Sequence, residues 1–151
     1  MHEGLDIRCL QRDQHGEPAD PVTATAEGEV AYLNAKPSLS NYGNYLILRH
    51  RIEGMDIFSL YAHLSRILVR KGESVSQGQN IGAVGATGWA TGPHLHFEYR
   101  INNVYRDPLT VARQNDTTPV SATAKPVFAQ LASENRVALA AAASMHLSSV
   151  Q

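Results

Sequence analysis

A single cysteine, Cys9, among 151 residues excludes an internal disulfide, a thiolate zinc cluster and a dithiol redox pair. Cys9 is expected as a small buried apolar side chain rather than a nucleophile. Charge of one sign is also lacking: 13 Lys and Arg against 14 Asp and Glu leave a formal net charge of −1. That balance gives no long-range attraction toward nucleic acid or an anionic surface. No run approaches the roughly 20 consecutive apolar residues that cross a bilayer, and Met1-His2-Glu3-Gly4 lacks the charged and apolar segments of a signal peptide. The chain is therefore expected to be soluble, without a membrane-inserted segment, and its specificity has to come from a local site.

What the chain does have is 43% hydrophobic residues, enough at this length for one compact core and too few for two ordinary domains with a site between them. Between residues 21 and 105, short runs rich in Val, Ile, Leu, Tyr and Phe alternate with Gly, Asn and Ser. The runs at 28–33, 45–50, 55–61 and 94–99 predict an antiparallel all-β domain over residues 1–111. Turn formers and a shortage of large apolar residues mark 112–126 as a linker. Residues 127–151 change regime: an Ala-rich stretch after Pro126 predicts a short α-helix and tail.

Seven histidines raise the question of a metal, and spacing narrows it. His94 and His96 stand two apart in a strand-like run. Both imidazoles leave one face about 7 Å apart at the backbone, while Leu95 and Phe97 fill the other. Glu98 shares the histidine face and is placed to orient an imidazole, the alternative being an ordinary exposed or salt-bridged glutamate. His2 and Asp6 add an imidazole and a carboxylate, both acceptable zinc ligands. In a straight strand they would stand about 13 Å apart, and Gly4 between them lets the backbone bend so that they converge. Two imidazoles and a carboxylate leave a fourth tetrahedral position for water, the arrangement of a catalytic zinc site.

The run 85–93, Gly-Ala-Thr-Gly-Trp-Ala-Thr-Gly-Pro, comes immediately before the paired histidines. It is expected as a flexible, nearly side-chain-free loop where an extended substrate approaches. Trp89, the single tryptophan, is expected to pack, with stacking on substrate as the alternative. His15, His50 and His146 match no motif and are assigned no function.

The spacing His2-x-x-x-Asp6 and the triplet His94-Leu-His96 occur together with Gly28-Glu-Val30, Tyr42-Gly-Asn-Tyr45, Leu60-Tyr-Ala-His-Leu64, Gly78-Gln-Asn-Ile-Gly82, Thr91-Gly-Pro93 and Asp107-Pro108. On these residues the chain resembles the lysostaphin/LytM family of zinc endopeptidases from His2 to about Val111. The resemblance implies an antiparallel β-sandwich peptidase domain of the barrel-sandwich-hybrid kind. It implies one zinc ion held by His2, Asp6 and His96, with His63 and His94 as catalytic histidines that do not bind it. The implied reaction is metal-assisted hydrolysis of peptidoglycan peptide stems. Likeness of residues 64–71 and 100–110 to Gram-negative envelope members implies D-Ala–meso-diaminopimelate cross-links as the target. It also implies a periplasmic or envelope location, the export signal belonging to a longer precursor.

Two departures accompany the resemblance. Family members carry a strand and loop ahead of the first ligand, whereas His2 is nearly the first residue. Residues 8–20 are longer than the usual turn and are expected as an exposed loop at the groove rim. Two rival readings differ in class. A non-catalytic relative that binds or activates cell-wall amidases would have a damaged ligand set, and all five positions are occupied here. A lipoyl or biotinyl carrier, suggested by residues 71–82, would need a lysine where Gly85-Ala-Thr-Gly88 stands.

Overall fold

In a computed structural model, residues 3–115 are described, with side chains to residue 111. Among them, strands pair antiparallel into two sheets. The larger has the order β1 (Leu5–Arg8), β9 (His94–Ile101), β5 (Met55–Ala62), β4 (Tyr45–Ile52), β3 (Gly28–Asn34) and β7 (Ser74–Val75), with β10 (Val104–Arg106) also paired to β9. The smaller has the order β2 (Pro21–Thr23), β8 (Asn80–Ala83) and β6 (Arg66–Ile67). The four strand-like runs read from the sequence are β3, β4, β5 and β9, and the all-β architecture is as expected.

Alternation along the central strands separates two faces, because successive side chains leave a strand on opposite sides. Leu46 and Leu48 of β4, Tyr61 of β5 and Phe97 of β9 point to one face. There they cluster with Val22, Leu64 and Ile81 at 8% exposure or less. Each such side chain contributes about 1.5–3 kcal/mol on burial. The register pairs Leu46 with Tyr61 and Tyr61 with Phe97, so the core rows are continuous across three strands. The opposite face of β9 carries His94, His96, Glu98 and Arg100, as the two-residue spacing predicts.

His50 lies on the core face at 1% exposure. Its Nδ1 donates to the Glu27 carbonyl at 2.7 Å and its Nε2 lies 2.7 Å from the Ser59 hydroxyl, which is 3.1 Å from the Tyr61 hydroxyl. The Tyr61 oxygen in turn accepts the Thr25 amide at 3.0 Å. A buried imidazole is tolerated only with its polar atoms satisfied, and this chain of bonds provides that. Cys9 is half-buried against the edge of the core and donates to the Gln11 carbonyl at 3.2 Å, less enclosed than expected.

Two loops above one end of the large sheet hold the candidate site. Loop 35–44 and loop 84–93 touch backbone to backbone. A Cβ at Gly43 (φ +65°) would stand 2.4 Å from the Thr87 carbonyl carbon, and one at Gly88 (φ +73°) 2.3 Å from the Gly43 nitrogen. The Thr87 hydroxyl accepts the Asn44 amide at 3.0 Å and donates to the Leu64 carbonyl at 2.9 Å. The glycine-rich run is therefore a clasp rather than the flexible loop expected from its composition, since its glycines permit close contact.

Residues 9–20 form the expected exposed loop, braced by Asp13, whose Oδ1 accepts the amides of His15 and Glu17 at 2.8 and 2.9 Å. Helix α1 (Pro108–Asn115) starts after Asp107, whose Oδ1 accepts the Leu109 amide at 2.9 Å, with Pro108 at the first helical position. It occupies 112–115, the first residues of the segment expected as a linker. The helix expected after Pro126 lies outside the described residues.

Gly43→Ala should lower stability by about 1–3 kcal/mol, because a methyl group there meets backbone that cannot rotate away. Urea denaturation reads this as a lower midpoint at an unchanged slope; an unaltered midpoint would show that the clasp can open without cost.

Candidate metal and catalytic site

β9 brings its histidines beside two partners through register alone. β1 pairs Asp6 with His96 and Arg8 with His94, while β5 places Ala62 opposite His96 and ends there. His96 Nδ1 lies 2.9 Å from Asp6 Oδ1, and His94 Nε2 lies 3.7 Å from the same oxygen. Gly4 has φ +119°, consistent with the expected bend. It has a second role: a Cβ at that position would stand 2.5 Å from His96 Cε1, so only glycine leaves room for the ring.

On its other side, His96 Nε2 donates to Glu98 Oε1 at 3.1 Å. Glu98 is 1% exposed and its oxygens are fully engaged. The Tyr42 hydroxyl donates to Oε1 at 2.5 Å, and Arg100 donates to Oε2 through Nε at 2.9 Å and a terminal nitrogen at 2.6 Å. Burial alone raises the Glu98 carboxyl, but the hydrogen bonds from His96, Tyr42 and Arg100 outweigh it and hold the group at about 2. Burial, then the Glu98 acceptor, pushes the Tyr42 phenol up to about 12. Glu98 raises the pKa of His96 most strongly, and Asp6 adds to this against the effect of burial. The ring of Tyr42 also stacks on His96, with centroids 5.6 Å apart at 29°.

The donor chemistry fits a divalent ion. With Nε2–H committed to Glu98, the neutral tautomer of His96 carries its lone pair on Nδ1, beside the Asp6 carboxylate. Zinc takes imidazole nitrogen and carboxylate oxygen at about 2.0–2.2 Å, which places tetrahedral neighbours about 3.4 Å apart. The observed 2.9 Å needs only a small widening. Among the described residues no group of three such donors converges, and the remaining expected ligand, His2, lies outside the described residues.

His63 approaches from the end of β5 in the left-handed region, φ +60°, a conformation that a non-glycine residue keeps only when its surroundings over-determine it. Its amide donates to the Tyr42 carbonyl at 2.8 Å, and its Nδ1 donates to the Thr87 carbonyl at 2.8 Å. His94 Nδ1 donates to the Gly92 carbonyl at 2.8 Å. Both rings thus have Nδ1 fixed by main chain, which leaves Nε2 as the acceptor of the neutral imidazole. The ring centroids are 4.8 Å apart, and His63 lies 5.9 Å from His96. Burial first, then His94 and His96, pulls His63 down, keeping it neutral near pH 7.

These side chains line a groove of about 430 Å3 whose rim includes Glu3, Asn41, Trp89 and Thr91. Of the five site residues expected from the sequence, Asp6, His63, His94 and His96 come together here. Glu98 joins them from below, and both readings of it meet there: it is bonded to the His96 imidazole and salt-bridged to Arg100, though buried rather than exposed. Tyr42 and Arg100 escaped sequence reasoning, because their partner Glu98 is identified as buried only once the fold is known. Trp89 corrects an expectation: the residue is 81% exposed rather than packed, since the clasp anchors its main chain and turns the side chain outward.

Residues 1–108 match the model of Peptidase family M23. The peptidoglycan DD-endopeptidase ShyC of Vibrio cholerae is 42% identical over 92 residues, which are 60% of this chain and 20% of that protein. The chain spans about a fifth of the length of the curated relatives it matches. The catalytic domain of the antimicrobial peptidase lysostaphin from Staphylococcus simulans superposes with a TM-score of 0.60 at 31% identity, covering 75% of this chain and 80% of that one. A zinc-containing peptidase from Vibrio cholerae superposes with a TM-score of 0.53 at 32% identity, covering 70% and 35%. With the family match running through every strand from β1 to β10, the chain belongs to peptidase family M23.

Proposed function

We propose that this domain is a zinc-dependent endopeptidase that hydrolyses peptide cross-links of bacterial peptidoglycan, with D-Ala–meso-diaminopimelate links as its target, in the periplasm or cell envelope. The observation that carries this reading is the convergence on one groove of Asp6, His96 and two histidines whose Nδ1 atoms are both tied to main-chain carbonyls. Support for the substrate comes from relatives such as ShyC, named as a peptidoglycan DD-endopeptidase. The amidase-activating alternative is not favoured: ShyC, lysostaphin and the zinc-containing protein of Vibrio cholerae are each named as a peptidase.

In this reading His96 and Asp6 hold the ion, with His2 completing the set. When bound, zinc supplies Lewis acidity, which polarises a scissile carbonyl and brings a water's pKa to about 7. The chain's own residues handle the protons. His63 and His94 present Nε2 as acceptors, so one can take the proton of the attacking water. Once protonated, the same nitrogen becomes a donor, able to pass that proton to the departing amine. The other can donate a hydrogen bond to the oxyanion when its imidazole carries a proton. Glu98 positions rather than reacts: it keeps Nε2–H of His96 in place and the Nδ1 lone pair turned to the groove. Beyond Tyr42, an apolar trough of about 510 Å3 lined by Tyr45, Ile47, Phe58 and Leu60 continues along the same sheet face. It gives an extended peptide an apolar wall.

Three outcomes follow. His96→Ala should abolish stoichiometric zinc binding by the purified chain, whereas His63→Ala should keep the ion and lower kcat by about 10²–10⁴; metal analysis beside cleavage of purified cross-linked muropeptides checks both, and equal zinc loss in the two variants would defeat the division of roles. Glu98→Gln should weaken zinc binding about 10–100-fold, read by competition with a chelating dye; unchanged affinity would remove Glu98 from the site. The raised pKa of His96 makes the proton a competitor for Nδ1, so zinc affinity should rise with pH through and above about 6.5. Calorimetry in buffers of different ionisation enthalpy should detect proton release on zinc uptake that fades at alkaline pH, and no release in acid would contradict the assignment.

A further inference from the structure

Beside the catalytic groove lies a second hollow that the hydrolytic reading leaves unused. It holds about 390 Å3 between loop 35–44 and the clasp, lined by Pro37, Ser38, Leu39, Ser40, Asn41, Gly88 and Trp89. Asn41 and Trp89 line both the hollow and the groove, so the two spaces share a wall. Trp89 is 81% exposed and Leu39 72%, yet the main chain that carries the indole is fixed. The Trp89 amide donates to the Asn41 carbonyl at 2.9 Å, and the preceding Gly88 sits in the backbone-to-backbone contact with Gly43. A large aromatic ring held out to solvent on an anchored backbone is a preformed contact surface with little ordering cost on binding.

The lining chooses among occupants. The lining combines one indole and the apolar Pro37 and Leu39 with two serines and an asparagine, and it includes no charged residue. Stem peptides carry carboxylates and would be expected to meet cations there. A pyranose ring has an apolar C–H face that stacks on an indole and an edge of hydroxyl and acetamido groups that pairs with Ser and Asn. Peptidoglycan joins every stem peptide to a glycan strand, so a peptide in the groove brings sugar to its neighbourhood. We propose that this hollow is a subsite for the uncharged N-acetylated sugars of the glycan strand, with Trp89 as its stacking platform. The proposal rests on reading the domain as a peptidoglycan peptidase.

The single tryptophan makes the test direct, because emission of the full chain under tryptophan-selective excitation reports on Trp89 alone. Titration with a peptide-free β-1,4-linked N-acetylglucosamine tetramer should give a saturable change in emission, with a Kd about tenfold weaker in Asn41→Ala. In turnover, the preference in kcat/KM for disaccharide-bearing over bare peptide dimers should fall about tenfold in Trp89→Ala. The subsite is overturned if the tetramer leaves the emission unchanged. An unaltered substrate preference in Trp89→Ala overturns it as well. If the zinc-loaded wild-type chain cuts neither dimer, the peptidase reading fails, and the emission titration still decides whether the hollow binds sugar.

Discussion

Everything at the site depends on one buried carboxylate. Glu98 sits below the groove with almost no solvent contact, an environment that would ordinarily protonate it. It stays ionised because a guanidinium, a phenol and an imidazole all donate to it. That satisfied cluster fixes the ring of His96, and with it the direction in which Nδ1 faces Asp6. A half-satisfied buried charge would cost several kcal/mol, so Tyr42, Arg100 and His96 function as a set. Tyr42 serves this set twice, donating to Glu98 and stacking on the imidazole that Glu98 orients.

The second constraint is the clasp. His63 occupies a left-handed conformation that its own side chain disfavours, and the loops around it hold it there. Tyr42, Thr87, Asn44 and Leu64 exchange hydrogen bonds across the contact between Gly43 and Gly88. The same contact turns Trp89 outward. Catalytic positioning and the exposed aromatic edge of the groove therefore have a common origin in two glycines that let main chains meet. The rigid sheet below supplies His94 and His96 and, at the end of β5, His63, which the clasp above holds in place.

The strand pattern was legible in the sequence because alternation is a local property. The runs at β3, β4, β5 and β9 were readable as strands, and the two-residue period of β9 set His94, His96 and Glu98 on one face and Leu95 and Phe97 on the other. The common face of His94, His96 and Glu98 follows from spacing alone, whereas the bend at Gly4 was read from the conformational freedom of glycine. Helix α1 was harder to read: the signal at its start, Asp107-Pro108, is short, and the residues after it have no strong apolar period.

What tertiary structure decided was everything that depends on which distant segments touch. Asp6 meets His96 across ninety positions of chain because β1 and β9 pair in one register, and no local pattern states a register. His50 acquired a structural role, and Trp89 lost an expected one, because burial is a property of the assembled sheets rather than of composition. The clasp shows the same limit: glycines that signify freedom in an isolated segment signify contact once a second backbone lies within reach. Residue types and periods are set by the chain itself, whereas partners and solvent exposure are set by packing between segments that the sequence keeps far apart.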